Sequence, residues 1–188
     1  MHVEFHKTGK RRYAVKIVRE DLPNLEMNPA PGFDPLLPHD LIHFIVELEL
    51  GLNNAIFGQV ASGKKSGNFL PQLSESSNNR ADSRLRRKEV KKRKKIIRAG
   101  IDEYLQSERA TVICLYDWLS HSRDKNLRAK ALEMKETAQS VLGQMSDSER
   151  AKLNKYKLTE IRKRMDDLSQ RWSALLTGQW MSLEWFDN

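Results

Sequence analysis

Cysteine is nearly absent. Cys114 stands alone in 188 residues, so no intramolecular disulfide is available and a reducing, cytoplasmic setting is expected. Long apolar runs are missing as well. None approaches the ~20 residues that span a bilayer, and no apolar stretch follows Met1, so neither a membrane span nor a secretory signal is expected. Aromatic residues amount to 7% of the chain, and none falls in its most basic stretch, residues 80–98. That argues against single-stranded bases stacking there. A complete phosphate-binding loop is also lacking. Gly58-x-x-x-x-Gly63-Lys64 is followed by Lys65 where Ser or Thr should stand, and a helical pattern rather than a strand precedes it.

What the chain does have is basic charge in one place. The formal net charge is +8. Residues 80–98 hold eleven Lys or Arg against Asp82 and Glu89, so the rest of the chain is close to neutral. The segment has no Pro or Gly and only a thin apolar seam of Leu85, Val90, Ile96 and Ile97. It reads as a basic helical arm following a flexible Ser/Gly/Asn-rich loop at 63–79. Arg84, Arg87, Lys88, Lys91, Lys92 and Lys95 would meet nucleic acid or another polyanion through salt-dependent contacts to phosphates, with little choice of sequence. A solvated basic helix with no such role is the alternative, and an anionic membrane surface is a third.

The chain reads as a single domain with α+β architecture. Val3 and Phe5 alternate with polar neighbours, Gly9-Lys10 makes a turn, and Tyr13, Val15 and Ile17 alternate again. This is a β-hairpin pattern. Residues 180–186, WMSLEWF, read as a third strand that pairs with the hairpin, because a lone hairpin is marginal. Residues 21–37, with Pro23, Pro29, Pro31 and Pro35, read as an extended surface connection. Residues 101–176 are expected to form a helical bundle. Ile101, Leu105, Val112, Leu115, Tyr116 and Leu119 mark one apolar seam, and Leu127, Ala131, Met134, Ala138, Val141 and Met145 a second. A capping box at Ser146-x-x-Glu149 opens the last helix, whose seam runs Leu158, Ile161, Met165, Leu168, Trp172, Leu175. The second and third seams are expected to fold together as an antiparallel hairpin, which could also dock a protein partner.

The organising stretch is PHDLIHFIVELELGL, residues 38–52. Pro38 suits a first helical turn and Gly51 a helix end. Between them Leu41, Ile42, Phe44, Ile45, Val46 and Leu48 cover most of the circumference, the mark of a buried helix. His39, His43 and Glu47 step by four and share the narrow polar arc with Asp40. Two imidazoles and a carboxylate suit one Zn²⁺ or Fe²⁺ ion, with Asp40 as outer support or general base. That constellation would make the protein a metal-dependent enzyme of the hydrolytic kind. A solvated polar strip and a polar cluster serving packing are the alternatives.

Two resemblances add to this. His39-Asp40-x-x-His43 resembles the HDxxH motif of the ubiquinone-biosynthesis zinc family of helical proteins. That family carries a glutamate twelve residues after its second histidine. Ala55 stands there in this chain, leaving the third place to Glu47. The block PHDLIHFIVELELGLNNAIFGQVASG, the opening hairpin and the closing Leu183-Glu184-Trp185 resemble a family of uncharacterised bacterial proteins. That likeness implies an architecture and a bacterial source.

Overall fold

The computed structural model describes residues 1–64, 69–72 and 101–186. The basic arm at 80–98, with Arg84, Arg87, Lys88, Lys91, Lys92 and Lys95, lies outside the described residues, as does most of the 63–79 loop.

Alternation of apolar and polar side chains builds the sheet. Strands β1 (His2–Gly9) and β2 (Arg12–Val18) pair antiparallel as the predicted hairpin, with Val3 opposite Ile17 and Phe5 opposite Val15. Strand β5 (Trp180–Glu184) pairs with the other edge of β1, with Val3 opposite Leu183 and Phe5 opposite Met181. The three strands read from the sequence are therefore the middle and one flank of the sheet. Two more lie beyond them: β3 (Leu25–Ala30) and the short β4 (Leu70–Pro71) give the order β4-β3-β2-β1-β5, antiparallel throughout.

Strand β3 corrects the expectation of a surface connection at 21–37. Leu25 and Met27 point into the core while Glu26 and Asn28 point away. Pro29, which argued against a strand, sits where β4 no longer runs alongside, since β4 meets only Leu25 and Glu26. Proline is tolerated at such a free edge.

Helix α1 (His39–Leu50) lies across the sheet and buries residues 40–48 without a break. Phe44 meets Phe5 of β1, Phe57 and Trp185 in edge-on ring contacts with centroids 5.4–6.1 Å apart. Each such contact adds up to ~1 kcal/mol to the area it buries. After Gly51 a short α2 (Ile56–Ala61) turns back onto α1. Gly58, part of the near-miss phosphate loop, has a packing reason. A Cβ there would come within 2.5 Å of the Asn53 backbone.

The helical layer comprises α3 (Ile101–Ser120), α4 (Lys125–Gln144), α5 (Asp147–Lys152) and α6 (Lys155–Ala174). The capping box at Ser146 and Glu149 forms as predicted, but it opens the one-and-a-half-turn α5; Asn154 caps the long α6 by accepting from Lys157 N at 2.9 Å. The helical hairpin is also placed differently. α4 packs along α3, to which four residues join it, whereas α6 packs on α1 and α3. A connection this short keeps consecutive helices side by side. Ile161, Met165, Leu168 and Trp172 are buried on α6. Its charged flank is tied down by Arg162 to Asp117 at 2.9 Å and Arg164 to Glu49 at 2.6 Å. Lys7 of β1 donates to the carbonyls of Trp172 and Leu175 at the C-terminal end of α6, where a cation is favoured. No helix among the described residues is long and apolar enough to cross a membrane.

Candidate metal centre

The start of α1 is set by what surrounds it. The amide of His39 donates to the carbonyl of Gly32 at 3.1 Å. Gly32 has φ +72°, and a Cβ added to it would lie 2.7 Å from Cβ of His39. Glycine is thus required there twice, for backbone hand and for space. Asp40, next in line, meets the Tyr13 hydroxyl, which also contacts the carbonyl of Pro31. Burial lifts the Asp40 carboxyl above the usual range, and the Tyr13 hydrogen bond partly offsets it. Asp40 therefore fastens α1 to β2 and is within electrostatic range of His39, without a hydrogen bond to either histidine.

One turn on, His43 is fully buried while His39 is exposed. Their rings sit edge-on, with Nε2 atoms 3.1 Å apart. Glu108 of α3 brings Oε2 to 3.7 Å from His43 Nε2. One ligand atom from each of His39, His43 and Glu108 lies within 4.8 Å of the others. An ion with bonds of ~2.1 Å needs its ligands about 3.4 Å apart, so a small closure of Glu108 would complete such a set. Glu108 is half-exposed, which leaves a path from solvent. The hydroxyl of Tyr104 bonds the Glu108 carboxylate from the same helix, and burial together with that carboxylate pushes the phenol up to about 12.

Glu47 does not join them, which corrects the ligand set read from the sequence. Residues eight apart on a helix are ~12 Å apart along its axis, too far for His39 and Glu47 to grip one ion. Glu47 instead sits wholly buried on the far side of the His43 ring, its nearest oxygen 3.9 Å from Nδ1. Its carboxylate accepts from the amides of Phe57 at 2.7 Å and Ile56 at 3.3 Å, holding the first turn of α2, and from the Ser107 hydroxyl at 2.8 Å. Burial outweighs these three donors and pushes the Glu47 carboxyl up to about 8.

Ser107 completes a relay. Its oxygen is 2.8 Å from His43 Nδ1, with Thr111 a further 3.3 Å neighbour. When Glu47 is ionised the Ser107 proton is directed to it, and the Ser107 lone pair can then accept from Nδ1–H. That choice of tautomer leaves the Nε2 lone pair pointing at His39 and Glu108. Burial, aided by His39, pushes the His43 pKa down to about 3, so the ring stays neutral, the form that binds a metal. Outer hydrogen bonds that fix a histidine in this way are the usual support of metal ligands.

Sequence reading thus placed His39 and His43 together and misplaced the carboxylate. The signal for Glu108 was the small polar stripe Ser107, Thr111, Cys114. This stripe, with Ala110 and Trp118, is the buried face of α3, whereas Ile101 and Leu105 of the expected seam are exposed. Small side chains let α3 approach α1, and their hydroxyls answer His43 and Glu47. Cys114 is a buried core residue, its thiol pushed up by burial.

No family model matches the chain, and no curated protein or solved structure matches it either.

Proposed function

We propose that the protein binds one divalent transition ion, Zn²⁺ or Fe²⁺, through His39, His43 and Glu108, and is a metal-dependent enzyme of the hydrolytic kind. The observation that carries this reading is the approach of the two Nε2 atoms and the Glu108 carboxylate, with His43 Nδ1 engaged by Ser107 from behind. Two imidazoles and one carboxylate leave coordination positions free, as catalytic sites do and structural sites do not. The ion would supply Lewis acidity. His43 would hold it from the core side, and His39 and Glu108 from the solvent side.

Metal analysis of protein prepared without a histidine tag tests this. Close to one equivalent is expected, with Glu108→Gln and His39→Gln each weakening Zn²⁺ binding about a hundredfold. His39 is exposed and the Glu108 side chain is 40% exposed, so the fold survives either change. Binding unaltered by both substitutions would remove the proposal.

A second reading concerns residues 80–98. Their eleven cations against two carboxylates support binding of nucleic acid or another polyanion by charge alone. Retention on heparin should fall, and its salt dependence flatten, when Arg87, Lys88, Lys91 and Lys92 are all replaced by Gln; unchanged retention would dismiss it.

A further inference from the structure

A cleft of about 330 Å³ opens between the 32–37 segment, α1, α3 and α4. Its inner walls are apolar: Phe33, Leu36, Ile42, Trp118, Leu119 and Met134. That volume lies at the lower end of the range for small-molecule sites, and an apolar interior with few polar groups is their usual character. His39 forms one wall, so the cleft lies directly beside the candidate metal ligands.

Besides His39, the ionisable residues on the lining are Asp34 and Lys130, and they differ in what they are already doing. Asp34 Oδ1 accepts from the amides of Leu36 and Leu37 at 2.8 and 3.1 Å, shaping the turn that leads into α1. Lys130 is exposed and has neither an ion pair nor a hydrogen bond among the described residues. It lies on the same face of α4 as Leu127 and Met134, which also line the cleft. A lysine so placed lays its methylenes along the apolar wall and keeps its ammonium at the mouth. Greasy walls with an uncommitted cation at the entrance are complementary to an amphiphile with a negative head.

We propose that this cleft binds a small monocarboxylate with an apolar body, the size of a medium-chain fatty acid, its chain between Trp118, Ile42 and Met134 and its carboxylate paired with Lys130. The site stands on its own lining and goes beyond the metal reading, since neither His43 nor Glu108 lines it.

Decanoate, decanol and decylamine titrated into the full-length protein, with calorimetry as the readout and tryptophan fluorescence beside it, test the proposal. Decanoate is expected to bind best, and Lys130→Glu to weaken it several-fold while making decylamine the preferred ligand. Met134→Trp, which fills the interior, should weaken decanoate at least tenfold. Binding of decanoate should persist in excess chelator; its loss there would mean that an ion and not Lys130 holds the head, and would overturn the assignment. Equal binding of the three ligands, no change of preference in Lys130→Glu, or full binding in Met134→Trp would overturn it too.

Discussion

Helices α1 and α4 both show apolar residues at helical spacing, yet they have opposite places in the molecule. α1 buries nine of its twelve residues, among the sheet, α2, α3 and α6. α4 buries only Ala131 and Ala138 of its twenty and covers α3 from outside. Periodicity alone does not separate them; the width of the apolar arc does. The contrast extends to polar groups. On α1 each buried one has a partner, Asp40 with Tyr13, His43 with Ser107 and Glu47 with the start of α2. On α4 most polar residues face water; Arg128 donates to the carbonyls of Ser122 and Arg123, whereas Lys130 has no partner among the described residues.

Substitutions should separate the two helices by size of effect. Phe44→Ala removes the ring at the centre of three aromatic contacts and should cost about 3–5 kcal/mol in urea unfolding. The buried His43 and Glu47 should next show as an arched stability profile. His43 has its folded pKa held down at about 3, so its contribution is intact above ~6.5 and is lost as pH falls toward 3. Glu47 has its folded pKa raised to about 8, so its contribution is intact below ~4.5 and is lost as pH rises toward 8. Each arm should amount to a few kcal/mol, and Glu47→Gln should flatten the alkaline arm while sparing the acid one. A flat profile across pH 3–8 would contradict both assignments. Gly32→Ala should cost on the order of 1–2 kcal/mol through strain at its positive φ and should also weaken metal binding by displacing His39. At the small end, Leu132→Ala on α4, at a side chain 73% exposed, should change stability by less than ~0.5 kcal/mol. A cost near that of Phe44→Ala would collapse the comparison.

Local chemistry carried much of the fold in plain view. Pro38 and Gly51 bracket α1 where the structure has it, and the alternation in residues 3–17 sets the hairpin register. The pairing of β5 with β1 followed from the need of a hairpin for a third strand. Less visible were features that depend on neighbours distant in the chain. Strand β3 was hidden by Pro29, which is acceptable only because β4 is so short. The buried face of α3 was hidden because Ser107 and Thr111 look like surface residues until α1 supplies partners for them. Glu108 was hidden because a ligand contributed by a second helix leaves no spacing to count. The two histidines could be counted, since a single turn of α1 carries both.

Strand β1 is stitched on one side to β2 through a two-residue turn and on the other to β5, where His2 faces Glu184. The first seam can close within microseconds of collapse. The second must wait for the whole helical layer to gather the intervening chain, so the rate of reaching the native state should be governed by that late, long-range closure and not by helix formation.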